Sequence, residues 1–192
     1  MAALDVNRLV LASGSPRRLA LLQEAGLDPL VRVPEVDESV KPTEGPEAMV
    51  ERLAISKLDT AVMDGEPGVA ADTVVVIDGE VLGKPRTAER AEDMLRRLSG
   101  RPHKVITGVA VSGPGGRAST TVTTTVTLRN LGQTEISHYV EGGEPLDKAG
   151  GYAIQGEASR FVASVDGSRD NVVGLPVVEM LGLLATVGWA PG

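Results

Sequence analysis

The stretch GVAADTVVVIDGEVLGKP, residues 68 to 85, constrains the fold more than any other part of the chain. Its first ten residues are apolar, small or β-branched except for Asp72, and a run of that length and type reads as a buried strand. Asp-Gly at 78 and 79 is the dipeptide of a tight hairpin, so the residues after it form a returning strand that ends near Lys84. A carboxylate in such a strand is expensive to bury without a partner. Asp72 is therefore expected either to sit at a bend or edge, hydrogen-bonded by Thr73, or to face one cleft together with Lys84.

Around this hairpin the chain alternates strand and helix signals. RLVLA (8 to 12) reads as a short buried strand, and Ser15 as N-cap with Pro16 at the first helical position opens a helix closing near Gly26. LVRV (30 to 33) is a second strand, followed by the acidic loop PEVDESVKPTEG. Pro46 starts a helix on which Met49, Leu53, Ser56, Lys57 and Thr60 share one face, so that the Lys57 amine reaches past an apolar stripe. Thr87 caps a helix that Gly100 ends. HKVITGVAV and STTVTTTVTL, separated by SGPGG, form a long hairpin; a helix over 134 to 141, a strand at RFVASV and a helix from Pro176 to about Val187 complete the reading. The fold class is α/β, a mixed twisted sheet flanked by helices. Residues 1 to 192 are expected to form a single domain of two lobes with a cleft between them.

Composition closes several routes. With no cysteine among 192 residues there is no disulfide framework, thiol nucleophile or sulfur-bound zinc, and two histidines in separate segments do not make a His-rich metal site. A formal charge of -7 argues against stable nucleic-acid binding, which needs clustered Lys and Arg, but leaves a local basic pocket open to a small anion. The first residues carry an acid and break after a very short apolar run, so neither a signal peptide nor a membrane span is expected, and the cytoplasm is the default location. GKP lacks the rest of a Walker loop, no GxGxxG opens a helix, and there is no GxSxG elbow. His103 reads as a packed residue and His138 as an exposed one.

Two further segments ask for more than packing. LASGSPRR (11 to 18) sets two arginines at a helix start, where the macrodipole disfavours positive charge. In DKAGGYAIQG, Asp147 and Lys148 run into paired glycines, which suit either a surface turn or a close backbone approach to a ligand.

Taken in order, LASGSPRR, VDE, RLAISK, AADT, LGKP, LSGRPHKVITGV, GEPLDKAGGYAIQG and NVVGLP closely resemble the Maf family of nucleoside triphosphate pyrophosphatases, from about Leu9 to Leu184. The resemblance implies a Maf/HAM1 (ITPase-like) fold, often dimeric, with the active site in the cleft between the lobes. It also implies hydrolysis of a nucleoside triphosphate to the monophosphate and pyrophosphate with a divalent metal cation, Mg²⁺ or Mn²⁺. Family members are described as inhibitors of septum formation.

By the same resemblance Asp72 is the general base, and Glu38 with Asp72 would hold the metal, Asp37 being the weaker carboxylate. Lys57 and Lys84 would neutralise phosphate charge, and Ser13, Ser15, Arg17 and Arg18 would cradle the triphosphate, which answers the misplaced charge of LASGSPRR. Members acting on dTTP and UTP carry arginine, threonine and glutamine at the positions of Arg17, Thr73 and Gln155. The sister 7-methyl-GTP group tends to have an aromatic residue at the first of these and glutamine at the second. Four aromatic residues of the Phe, Tyr and Trp types in the whole chain leave no obvious cage for a methylated purine. Ala71 stands where glycine is frequent in the family, a small departure. The rival readings are a HAM1-like enzyme for non-canonical purine nucleotides and a nucleotide-binding regulator of cell division.

Overall fold

The computed structural model describes residues 8–191. Its strands are β1 (Val10–Ala12), β2 (Leu30–Arg32), β3 (Gly68–Ile77), β4 (Glu80–Leu82), β5 (Pro102–Gly113), β6 (Gly116–Leu128) and β7 (Val162–Asp166). The helices are α1 (Pro16–Glu24), α2 (Pro46–Ala61), α3 (Ala88–Leu98), α4 (Gln133–Glu141), α5 (Arg169–Val173) and α6 (Val177–Thr186). The strands form one sheet in the order β2-β1-β3-β5-β6-β7, with β4 also paired to β3. β1 runs parallel to both β2 and β3, whereas β3 with β4 and β6 with β7 are antiparallel. The mixed α/β sheet read from the sequence is therefore present.

The chain divides into two compact units. The first comprises residues up to Asp72, Thr107–Val122 and the segment from Gly174 onward. The second comprises Thr73–Ile106 and Thr123–Val173. β3 passes from one to the other between Asp72 and Thr73, and β5 and β6 are divided in the same way.

In the first unit, Val10, Ala12, Ala54, Leu58, Val62, Ala70 and Ala110 form a buried cluster that seats α2 on the sheet. Small side chains on both partners bring the helix close, which fixes the direction of anything projecting from its flank. Arg32 of β2 makes a two-pronged pair with Glu66 (2.6 and 2.8 Å), tying this edge strand to the turn before β3. Helix α1 begins as its sequence requires, the Ser15 hydroxyl capping the Arg18 amide.

In the second unit the β3–β4 hairpin turns through Asp78 and Gly79, both with positive φ (53° and 79°), as an Asp-Gly turn of the primed type demands. Helix α3 is capped by Thr87 and buries Ala91, Met94, Leu95 and Leu98; α4 buries Ile136, Tyr139 and Val140. Between α4 and β7 the chain forms three short 3-10 turns, Glu144–Asp147, Ala149–Gly151 and Glu157–Phe161. These turns and the five-residue α5 have no counterpart in the sequence reading. Thr60 also departs from it, being exposed while Met49, Leu53 and Lys57 of the same helix are buried. Among the described residues no helix is long and apolar enough to cross a membrane.

His103 is buried in this second unit, its Nε2 paired with the Tyr152 hydroxyl at 2.7 Å, and His138 is exposed. Burial pushes the His103 imidazole from its ordinary 6.5 down to about 4. Between those values the unfolded chain binds the extra proton and the folded chain does not, so this contribution to stability is complete above 6.5 and is lost as the pH falls toward 4. Urea denaturation as a function of pH is expected to show a shallower loss of stability over that interval in His103→Gln than in the parent chain. Parallel curves would contradict a buried neutral imidazole.

Candidate active site

Helix α2 brings Lys57 to the centre of the first unit's polar groups. The lysine follows Ala54 on the flank of the packed face, and its side chain is only 11% exposed. Its ammonium donates to Asp72 Oδ1 at 2.6 Å and lies 2.6 Å from Glu38 Oε1. One cation thus gathers a carboxylate from β3 and a carboxylate from the loop after β2. Asp72 is nearly as enclosed as Lys57, at 13% side-chain exposure, whereas Glu38 is exposed at 56%. The inner pair needs its mutual neutralisation far more than the outer one does.

The loop that carries Glu38 is itself fastened. Arg52, one helical turn before Ser56, grips Glu44 with two hydrogen bonds (2.6 and 2.8 Å) and donates to the Ser39 carbonyl at 3.2 Å. Asp37 is spent inside the loop, accepting from the amide and hydroxyl of Ser39 at 2.9 and 3.0 Å, and those bonds hold its carboxyl below the usual range. Arg52 and Glu44 were not singled out from the sequence. Their spacing across a proline-initiated helix start was the available signal, but it does not distinguish a loop anchor from an ordinary surface pair.

The arginines of LASGSPRR belong to the same set of charges. Arg18 donates through Nε to the Gly174 carbonyl (2.8 Å) and through Nη1 to Ser13 Oγ (3.1 Å). Ser13 Oγ also accepts from the Ser15 amide at 3.2 Å, so this hydroxyl organises the turn into α1. Burial lowers the Arg18 guanidinium pKa from its ordinary value, Asp72 opposes that, Arg17 adds to it and Glu38 opposes it again. Arg18 and Lys57 thus both act on Asp72 and Glu38, and Arg17 adds a further positive charge beside Arg18.

The remaining sequence candidates lie in the second unit. Thr73 is half-buried on β3, Lys84 is exposed in the loop after β4, and Gln155 is exposed in the turn after Tyr152. The Lys84 loop is fixed on both sides: the Gly150 amide donates to the Gly83 carbonyl (3.2 Å) and the Arg86 amide to the Leu146 carbonyl (3.1 Å). The paired glycines serve this packing. Gly150 has φ +71°, and a Cβ there would lie 2.8 Å from Val75 Cγ2. Lys148 turns back to Asp147 (2.6 Å) and the Glu144 carbonyl (2.9 Å).

Among the described residues no group of three or more His, Cys, Asp or Glu is arranged to hold a metal ion. Glu38 and Asp72 form a set of two carboxylates, both drawn to one cation. That donor set suits Mg²⁺ or Mn²⁺, which bind through one or two carboxylates and complete their shell with water and substrate phosphates.

Comparison with known proteins bears on this chemistry. The family model for "Maf-like protein" matches residues 8–187. A dTTP/UTP pyrophosphatase of Anaeromyxobacter sp. (strain Fw109-5) is 52% identical over 195 residues, covering 96% of this chain and 94% of the relative. The protein of the same name from Neisseria meningitidis serogroup B is 42% identical, over 96% of each chain. Among solved structures the Staphylococcus aureus Ham1 protein matches with a TM-score of 0.46 and 18% identity, over 63% of this chain and 71% of that one.

The pairing of Lys57 with Asp72 predicts a specific energetic coupling. Lys57→Met leaves the enclosed Asp72 without its hydrogen-bonded cation, with only the longer-range charges of Arg18 and Arg52 to offset it, and should lower stability by about 3 kcal/mol in urea denaturation. Adding Asp72→Asn should recover much of that loss, whereas strictly additive effects of the two substitutions would contradict the pairing.

Proposed function

The chain belongs to the Maf family, and from that premise we propose that it is a dTTP/UTP pyrophosphatase, cleaving the bond between the α- and β-phosphates to give the monophosphate and pyrophosphate. The observation that carries the reading is Lys57 held between Asp72 and Glu38, beside Arg18. Such a site offers a base, charge for phosphate oxygens and two carboxylates for a cation. The full-length likeness to relatives of that name supports the choice of nucleotide.

Each residue has a part in this reading. Asp72 accepts the proton of the attacking water and aims it at the α-phosphorus; phosphoryl transfer asks for little beyond such positioning and electrostatics. Lys57, bound to Asp72, fixes that carboxylate and sets a positive charge beside it for the phosphates. Arg17 and Arg18, with the amides and hydroxyls of Ser13 and Ser15, hold the phosphate tail at the start of α1. Lys84 neutralises the departing pyrophosphate. Glu38 and Asp72 would hold Mg²⁺ or Mn²⁺, which when bound supplies further charge neutralisation at the phosphates. Thr73 and Gln155 read the base. A pyrimidine presents a carbonyl and an N–H that a glutamine amide matches with its donor and its acceptor.

The same reading places the enzyme in the cytoplasm, where its nucleotides are, acting to clear unwanted triphosphates. A homodimer is part of it, supported by the exposed apolar side chains Leu30 and Val31 on the edge strand β2 and Val33 just after it. No partner is needed from nucleic acid or membrane.

One assay panel tests these assignments: dTTP, UTP, GTP and ATP with Mg²⁺ or Mn²⁺, following pyrophosphate and orthophosphate separately. The parent chain should release pyrophosphate and prefer the pyrimidines. Asp72→Asn should lose about 10²-fold or more in turnover on every nucleotide while remaining folded. Gln155→Ala should lose about tenfold in kcat/KM on dTTP and UTP and less on purines. Orthophosphate as the first product would overturn the bond assignment, and a uniform loss in Gln155→Ala would overturn base reading by this residue.

A further inference from the structure

The turn that carries Gln155 is held by two residues to which the reaction assigns no part. Tyr139, on α4, is fully buried, its ring edge-on to Phe161 at 5.1 Å between centroids. Its hydroxyl donates to Glu144 Oε1 at 3.0 Å and accepts from the Ala153 amide at 3.3 Å. The other oxygen of the same carboxylate, Glu144 Oε2, accepts from the Glu157 amide at 3.1 Å. Between those two amides the Gly156 amide donates to the Ala153 carbonyl at 3.0 Å and closes the turn in which Gln155 stands exposed. One hydrogen-bonded pair therefore grips the turn on both sides of Gln155.

The fit leaves no room for slack. The Glu144 carboxylate lies against the bare backbone of Gly156, where a Cβ would come within 2.2 Å of Oε1 and 2.5 Å of Cδ. The Glu144 carbonyl also accepts from Lys148 Nζ at 2.9 Å, which anchors the residue from its main-chain side. Arg169 adds a bond to the Ile154 carbonyl at 3.3 Å. Burial and the neighbouring carboxylate keep the Tyr139 phenol well above its usual pKa, so it remains a donor throughout the neutral range.

An exposed glutamine amide on an unsupported turn would have to be ordered by the base that it hydrogen-bonds, so the cost of ordering falls on the pyrimidines that use the amide and not on bases that do not. A turn fixed beforehand lets the two ends of the amide discriminate by hydrogen-bond pattern. We propose that Glu144 and Tyr139 are positioning residues for base selection, which hold the turn from Ala153 to Gly156 so that Gln155 meets the pyrimidine edge in one orientation. This rests on the reading above that Gln155 contacts the base.

The test uses the full chain with Glu144→Ala, Tyr139→Phe, Gln155→Ala and the pair Glu144→Ala/Gln155→Ala, assayed on dTTP, UTP, GTP and ATP. Glu144→Ala and Tyr139→Phe should each reduce the ratio of pyrimidine to purine kcat/KM by about three- to tenfold, mainly through KM. The double variant should discriminate no worse than Gln155→Ala alone, because the brace acts through that residue. In the nucleotide-free protein, hydrogen exchange at the Ala153 and Glu157 amides should quicken in Glu144→Ala. Tyr139→Phe keeps the core volume and gives the answer where the alanine variant folds poorly. If Gln155→Ala costs selectivity while Glu144→Ala and Tyr139→Phe lower all four nucleotides equally, or leave all four unchanged, the positioning role is overturned and base reading stands. If Gln155→Ala leaves selectivity intact, base reading falls and the positioning role falls with it.

Discussion

A single ammonium group shared by two carboxylates organises the first unit. Asp72 interrupts a strand whose other residues favour burial, and it is tolerable there because Lys57 meets it at 2.6 Å. That contact demands a helix seated closely enough on β1 and β3 to deliver a lysine, and the small residues Ala54, Ala12 and Ala70 allow the approach. The same ammonium draws in Glu38 from a loop that Arg52 and Glu44 fasten to the helix start. Arg18 then lies where both carboxylates act on it while its own hydrogen bonds are taken by Gly174 and Ser13. Packing in this unit thus serves charge placement.

The charge balance also accounts for the two arginines at the start of α1. Placed at the positive end of a helix dipole, they would be unfavourable in isolation. Asp72 and Glu38 compensate part of that charge at Arg18. The second unit contributes a different kind of order. Its loops are fixed by backbone hydrogen bonds and by the Tyr139–Glu144 pair, so Lys84 and Gln155, both exposed, stand on segments whose backbones are pinned.

Much of this was legible in the sequence where a local rule sufficed. Asp-Gly at 78 and 79 specified the hairpin, Ser15 and Thr87 specified helix starts, and the apolar spacing of α2 placed Lys57 beside its buried stripe. The cost of burying the Asp72 carboxylate was also readable, but not that Lys57 is the residue paired with it. The 3-10 turns between Glu144 and Phe161 were not readable. They have no periodicity, and their shape depends on a carboxylate bonded to a helix hydroxyl and to an amide thirteen residues on. The glycine pair at 150 and 151 was equally consistent with ligand approach or packing until Val75 was seen against Gly150. Arg52 and Glu44 are not legible as an anchor because, in the sequence alone, a charged pair at that spacing reads as an ordinary surface pair, which is worth little.

The central claim is that Asp72, held by Lys57, directs water at the α-phosphorus. Hydrolysis of dTTP or UTP in ¹⁸O-labelled water measures this directly, because the oxygen from water stays on the phosphorus it attacked. Mass spectrometry of the two products should find the label in the nucleoside monophosphate and none in the pyrophosphate. Label in the pyrophosphate would place the attack on the β-phosphorus and contradict the account.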